Sequence, residues 1–211
     1  MQIQLTSSSR LLFIGDSITD CGRRSDAEHV GDGYVRVLRD YLAAKDPASA
    51  PAVINRGISG NKIPDLEKRW QRDVLDERPD LLSIYIGIND VWHGLVPDRA
   101  GCGIDDYTRG YRSILKQTRE NLPGCQILLC EPSVIWSPAP AEGNERLQPY
   151  VRAVHELARE FGASCVVPLH RAFNGARDAR SDIPWTRDGV HPTSYGHMLI
   201  ARTWLSATNL L

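Results

Sequence analysis

The 211-residue sequence has no long run of one charge and no long apolar run. Its 25 basic and 26 acidic side chains leave a formal net charge of −1 at pH 7. A nearly neutral chain is not a typical partner for nucleic acid or for an anionic membrane surface. No stretch approaches bilayer-spanning length, and the start, MQIQLTSSSRLLFIGDS, lacks the basic and apolar parts of a signal peptide. We therefore expect a soluble protein without a nucleic-acid or membrane partner.

The five cysteines are odd in number, irregularly spaced and without a C-x-x-C pair. Small secreted proteins that depend on disulfides usually carry an even set, whereas reduced thiols are normal in the cytoplasm. Cys125, Cys130 and Cys165 lie in apolar stretches typical of a core, and the other two are Cys21 and Cys102. The pattern predicts free thiols and a cytoplasmic location.

Motifs for common cofactors are also missing. The sequence has no G-x-G-x-x-G, no P-loop and no H-E-x-x-H, and its six histidines form no ligand cluster. The paired acids at 105–106, and Asp16 with Asp20, are explained by surface charge and helix capping rather than by metal or glycosidase chemistry. We expect neither a metal nor an organic cofactor.

The apolar residues are concentrated in short, continuous runs separated by longer amphipathic stretches. Continuous hydrophobicity is typical of strands in a parallel sheet that is covered on both faces. The predicted strands are 11–15, 52–55, 81–86, 127–130 and 163–167, and the predicted helices are 34–44, 64–75, 107–122, 147–161 and 195–205. This alternation predicts an α/β fold, a single three-layer α/β/α domain over residues 1–211 with a five-stranded parallel sheet. A loop rich in proline and glycine, 133–144, follows the fourth strand.

Ligands of open parallel sheets bind beyond the carboxyl ends of the strands, which directs attention to the residues after each apolar run. Three polar blocks lie there, 15–19 (GDSIT), 55–61 (NRGISGN) and 87–90 (GIND), and a fourth, 188–192 (DGVHP), precedes the last helix. Each block alone has an ordinary explanation as a helix cap, a loop or a turn. Ser17 also lacks the G-x-S-x-G context of an α/β-hydrolase.

Together the blocks supply the parts of a serine hydrolase. Ser17 could act as nucleophile, with His191 as its base and Asp188 as the group that orients His191. The N–H of a glycine in the second block and the amide of Asn89 could donate to a developing oxyanion.

In this order the residues resemble the SGNH (GDSL-type) hydrolases, whose signature residues match Ser17, Gly60, Asn89 and His191, with Asp188 three residues before the histidine. The resemblance runs from the first block to the last. It implies a triad of Ser17, Asp188 and His191. It also implies an oxyanion hole made by the N–H groups of Ser17 and Gly60 and by the Asn89 amide.

Longer stretches, among them GDSITDCG, NRGISGN and IGINDVW, are similar to bacterial intracellular carbohydrate acetylesterases, including enzymes that deacetylate xylo-oligosaccharides. The resemblance implies a serine esterase that acts on small acyl esters, chiefly acetyl groups on short oligosaccharides. Candidate substrate contacts are Asp16, Trp92, Trp136 and Trp185, although tryptophan also commonly packs in cores. The related sequences tend to place a tryptophan directly before the catalytic aspartate, whereas here two residues separate Trp185 from Asp188.

Two other functions remain open from the sequence. A lysophospholipase or acyl-thioesterase would use the same residues on a longer acyl chain, and a carbohydrate-binding module would keep the fold without catalysis. Relatives of this branch often form oligomers. Exposed Tyr, Trp and Arg on 147–161 and 195–211 could supply such an interface.

Overall fold

The computed structural model describes Ile3 and residues 5–211, so residues 1, 2 and 4 of the amino-terminal segment lie outside the described part. Its centre is one parallel sheet of five strands in the order β2-β1-β3-β4-β5. The strands are β1 (Arg10–Gly15), β2 (Ala52–Gly57), β3 (Leu81–Tyr85), β4 (Gln126–Cys130) and β5 (Cys165–Val167). The predicted α/β class and the five-stranded parallel sheet are confirmed.

The middle strands of the sheet are buried on both faces. All five residues of β3 and the last five of β1 are buried, because helices cover the sheet from both sides. The strand order reverses at β1, which pairs with β2 on one side and β3 on the other. The carboxyl ends of β1 and β3 therefore flank the crevice in which open α/β sheets bind ligands.

Helices form a layer on each side of the sheet. The helices are α1 (Ser17–Asp20), α2 (Tyr34–Lys45), α3 (Ile63–Trp70), α4 (Ile88–Trp92), α5 (Ile104–Asn121), α6 (Gly143–Arg146), α7 (Gln148–Glu160), α8 (Leu169–Ala179) and α9 (Ser194–Thr208). Helix α9 packs against α2 and α8, while α5 packs against α3 and α7. Trp70 and Trp204 are fully buried, and their indole N–H groups donate to Thr118 and Ser83.

The periodicity predicts five helices, and the structure has four others, α1, α4, α6 and α8. Helices α1, α4 and α6 span only four or five residues, which is too short for an apolar period to appear. Helix α8 buries only Leu169, His170 and Phe173. These few buried residues are too short a pattern to predict a helix from the sequence. The predicted helix over 64–75 is α-helical to Trp70 and continues as a π-helical turn, Gln71–Leu75. Within the described residues, no helix is both long and apolar enough to cross a membrane.

Candidate active site

The turn after β1 presents Ser17. Asp16, the residue between strand and helix, is the N-cap of α1, and its carboxylate accepts the N–H of Ile18 at 3.0 Å. Ser17 is the first residue of the helix, so its own N–H is one of the donors that a helix leaves without an internal partner. The hydroxyl of Ser17 is therefore free of the capping role that a serine often has at a helix start.

The side chains of Ser17, His191 and Asp188 form one hydrogen-bonded chain. The Ser17 Oγ lies 2.9 Å from His191 Nε2, and the His191 Nδ1 lies 2.7 Å from Asp188 Oδ2. Because a carboxylate only accepts, Nδ1 carries a proton toward Asp188 and leaves Nε2 to accept from the Ser17 hydroxyl. The structure thus brings together all three residues predicted for the triad, although they lie at opposite ends of the sequence.

The loop that carries Asp188 and His191 is held by its own hydrogen bonds. Asp188 Oδ1 accepts the backbone N–H groups of Val190, at 3.0 Å, and His191, at 2.8 Å. Partial burial acts to raise the pKa of Asp188, but the hydrogen bonds from the His191 ring and from both N–H groups outweigh it and hold the pKa below its ordinary value. Asp188 is therefore an ionised acceptor that fixes both the loop and the His191 ring.

The predicted oxyanion donors come from the loop after β2 and from helix α4. Gly60 follows β2 and has φ +80°, a left-handed conformation that favours glycine, with open space where a Cβ would lie. Asn89 is in α4 and is 2 % exposed, and its amide donates to the carbonyl oxygen of Asn61 at 3.1 Å. An amide nitrogen has two hydrogens, so Asn89 keeps one N–H for another acceptor.

A cavity of about 290 Å³ opens beside Ser17 and His191. Its walls combine polar and apolar surface and are formed by Ser17, Ile18, Cys21, Gly22, Asp32, Arg187, His191, Pro192 and His197. In the part of the chain that the structure describes, no group of three or more His, Cys, Asp or Glu side chains is placed to hold a metal ion.

Cys21 and His197 also line this cavity, and neither is among the residues that the sequence motifs predict for the site. The N–H of Tyr34 donates to His197 Nδ1 at 3.2 Å, which leaves the ring proton on Nε2, 3.4 Å from Cys21 Sγ. Burial lowers the pKa of His197 to about 4, so the ring is neutral at pH 7. His197 lies on the last helix, and only the packing of α9 against α2 brings it beside the first block.

The predicted substrate contacts have different positions. The Trp92 ring lies 5.6 Å from the His191 ring, edge to face, and is partly exposed. Trp185 is partly buried, its indole N–H donates to the Arg180 carbonyl, and its ring meets Tyr195 outside the residues that line the cavity.

Asp16 and Trp136 differ from the expectation of substrate contact. Asp16 is 2 % exposed and its carboxylate caps α1, because the turn after β1 buries it beneath Ser17. Trp136 is 8 % exposed, and its ring packs between Phe173 and the guanidinium of Arg177. Neither residue is among those that line the cavity.

Comparison with known proteins places this geometry in a family. Residues 13–199 match the model of the GDSL-like lipase/acylhydrolase family. The chain is 38 % identical to an acetylxylan esterase of Geobacillus stearothermophilus, over 96 % of this chain and 95 % of that protein.

Solved structures give the same result. A putative GDSL-like lipase from Parabacteroides merdae has a TM-score of 0.92 and 37 % identity, with both chains covered completely. Axe2, an acetylxylan esterase from Geobacillus stearothermophilus, has a TM-score of 0.85 and 34 % identity, over 98 % of this chain and 96 % of that one. The chain therefore belongs to the GDSL-like lipase/acylhydrolase family and is a carboxylic ester hydrolase.

Proposed function

We propose that this protein is a serine esterase that removes acetyl groups from short oligosaccharides, such as acetylated xylo-oligosaccharides. The observation that carries the proposal is the hydrogen-bonded chain Ser17–His191–Asp188, in which Ser17 and His191 line a cavity. Gly60 and Asn89, the predicted oxyanion donors, lie in segments that the Asn89–Asn61 hydrogen bond joins. This arrangement has a nucleophile, a base, an orienting carboxylate and hydrogen-bond donors, which are the parts needed for acyl transfer.

In the first half of the reaction, Ser17 Oγ attacks the carbonyl carbon of the ester while His191 Nε2 takes the hydroxyl proton. Asp188 stabilises the imidazolium that forms, because its carboxylate already accepts the Nδ1 proton at 2.7 Å. When the bond to the sugar oxygen breaks, His191 gives the same proton to that oxygen. The products are an acetyl-enzyme and a free sugar hydroxyl.

The tetrahedral intermediate carries its negative charge on the former carbonyl oxygen. The N–H groups of Ser17 and Gly60 and the second N–H of the Asn89 amide are the donors proposed to stabilise it. The Asn89 amide is held by Asn61, so little reorganisation is needed when the charge develops.

In the second half, a water molecule attacks the acetyl-enzyme and gives a proton to His191. The proton returns to Ser17 Oγ as the acyl–oxygen bond breaks, which releases acetate and restores the enzyme. Every proton in the cycle passes through His191 Nε2, and no other reactant is required.

Relatives support these assignments. Structures of Axe2 include catalytic mutants in which a serine, an aspartate or a histidine is replaced by alanine. The aspartate and histidine of that enzyme lie three positions apart, as Asp188 and His191 do here. Axe2 is also described as an acetyl-xylooligosaccharide esterase.

The polar side chains among those that line the cavity support the oligosaccharide substrate. Asp32, Arg187 and the polar groups around Cys21 and His197 offer hydrogen bonds to sugar hydroxyls, whereas a long acyl chain needs an extended apolar wall. Because all five cysteines are free thiols, we also propose a reducing, cytoplasmic setting.

The test compares the wild-type protein with Ser17→Ala on p-nitrophenyl acetate, butyrate and octanoate. The proposal expects serine-dependent hydrolysis that falls steeply with acyl length, followed by acetate release from acetylated xylo-oligosaccharides. Activity that rises with acyl length would favour a lysophospholipase or acyl-thioesterase. Failure of an organophosphonate to label Ser17, with no ester hydrolysis, would favour a carbohydrate-binding module.

A further inference from the structure

We propose that Asp90 is a positioning residue that holds helix α4, which carries Asn89, at a fixed separation from the loop that carries Gly60. Asp90 follows Asn89 in α4 and is 2 % exposed. Its side chain does not line the cavity beside Ser17, and no step of the proposed reaction uses it. The groups that Asp90 contacts indicate its role.

The carboxylate of Asp90 connects α4 to the start of α3. Its Oδ1 accepts the backbone N–H of Ile63 at 3.0 Å, and Ile63 is the first residue of α3. The first N–H groups of a helix have no internal partner, so a carboxylate from a neighbouring element satisfies one of them. The link therefore crosses between two elements that are not adjacent in sequence.

Asn89 makes a second link to the same segment. Its amide donates to the carbonyl oxygen of Asn61, two residues before Ile63. Consecutive side chains of α4 thus hold residues 61–63, and Gly60 comes directly before them. The element that carries the Asn89 amide is tied in this way to the loop that carries the Gly60 N–H.

Other hydrogen bonds fix the residues beside Gly60, but to elements other than α4. Ser59 is bonded to Asp20, and Asn61 is bonded to Arg69 and to the Ile58 carbonyl. A Cβ at Gly60 would have no heavy atom within 4 Å, and the φ of +80° allows other conformations at low cost for glycine. The bond from the Lys62 N–H to Asp65 caps α3 from within and does not reach α4. Loss of the Asp90 link would therefore let the Gly60 N–H move relative to Asn89.

The link from Asp90 to Ile63 requires an acceptor oxygen, which a neutral side chain can also supply. Burial raises the pKa of Asp90 to about 7, and the charge of Asp16 adds to this, although the Ile63 N–H acts in the opposite direction. Asp90 Oδ2 makes no hydrogen bond to α3, and the Cys102 thiol lies beside the carboxylate. An asparagine, which keeps an acceptor oxygen at the same reach, should therefore replace it.

The kinetic test compares Asp90→Ala with Asp90→Asn, and its interpretation rests on the proposed function. The matched control is Glu131→Ala, which removes a buried carboxylate that accepts the His170 N–H at 3.0 Å near the start of α8. Asp90→Ala should lower kcat by roughly 10- to 100-fold with little change in KM, because only the oxyanion depends on the Gly60 position. Asp90→Asn should restore kcat, and Glu131→Ala should lower Tm without lowering kcat.

Three results would overturn the inference. They are full kcat in folded Asp90→Ala, an Asp90→Asn variant as impaired as Asp90→Ala, or an equal kcat loss in Glu131→Ala. If Asp90→Ala does not fold, Asp90→Ser, whose hydroxyl is too short to replace the carboxylate, takes its place.

Hydrogen exchange tests the link without reference to activity. The Ile63 amide should exchange roughly tenfold faster in Asp90→Ala than in the wild type and in Asp90→Asn. Unchanged exchange in Asp90→Ala would contradict the link itself. If the Ile63 amide exchanges faster in Asp90→Ala but the wild-type protein hydrolyses no ester, the link is supported and the proposed function is rejected.

Discussion

The backbone N–H of Trp136 donates a hydrogen bond to the carbonyl oxygen of Gly189, at 2.9 Å. Gly189 lies between Asp188 and His191, so the loop after β4 supports the loop that carries these two residues. The Gly189 φ of +87° and the approach of the Trp136 carbonyl both require a residue without a Cβ. The position of His191 thus depends on a tryptophan that does not touch the cavity.

Gly189→Ala should displace this loop, because the new methyl group would overlap the Trp136 carbonyl in a backbone conformation that alanine avoids. We expect a kcat loss of roughly 100-fold and a fall in the free energy of unfolding of about 1–3 kcal/mol. Steady-state kinetics and thermal unfolding measure the two effects. Gly124→Ala, where the added methyl group meets nothing within 4 Å, is the control, and equal behaviour of the two variants would contradict the account.

Asn89→Ala should remove one oxyanion donor and its bond to Asn61. The expected loss in kcat is about 10²–10³, the usual effect of losing one such donor. KM should change little, because the ester carbonyl is not yet charged when the substrate binds. Asn121→Ala removes an exposed amide on α5 and should have no effect. A kcat near that of the wild type in Asn89→Ala would exclude the amide from the oxyanion hole.

Asp16 should make stability depend on pH. Burial raises its pKa from the ordinary 3.8 to about 6, although the Ile18 N–H acts to lower it. The folded protein therefore keeps a proton that the unfolded chain loses between about pH 4 and 6, so this contribution to stability falls as pH rises through that window. The total change is about 2–3 kcal/mol.

Asp16→Asn should flatten this part of the pH profile in denaturant unfolding, because its amide oxygen can still accept the Ile18 N–H while its charge is absent. Asp46→Asn, at an exposed cap where the carboxylate accepts the Ala48 N–H, is the matched control. The same slope in Asp16→Asn and in the wild type would refute the assignment.

Cys21 should make the activity sensitive to thiol reagents. Its side chain lines the cavity beside Ser17, so a bulky adduct would obstruct the substrate. Burial raises the pKa of this thiol, although the charge of Arg187 acts against it, and N-ethylmaleimide should therefore react faster at pH 9 than at pH 7. The Cys21→Ser variant should have the same activity with and without N-ethylmaleimide. Equal inactivation of the variant would assign the effect to another cysteine.

The sequence was sufficient for the sheet and for the residues at its carboxyl edge. Continuous apolar runs such as 11–15 and 81–86 predicted buried strands because a covered parallel sheet leaves no polar face. The end of each run then indicated where Ser17 and Asn89 lie, since parallel strands end at the same edge.

The remaining features depend on packing between distant segments. The contact between His197 and Cys21 exists only because α9 packs against α2, and the burial of Trp136 depends on its approach to Gly189. The link from Asp90 to Ile63 likewise joins two segments whose sequence patterns say nothing about each other. Contacts of this kind follow no periodic pattern and no fixed spacing in the sequence, so they could not be predicted from it.

The most direct test of the central claim is mass spectrometry of the protein quenched in acid during turnover of p-nitrophenyl acetate. The account predicts one added acetyl group on the peptide that contains Ser17, formed before steady state and absent from Ser17→Ala. Acetate release by folded Ser17→Ala at the wild-type rate, or an acetyl group on another residue in the working enzyme, would contradict it.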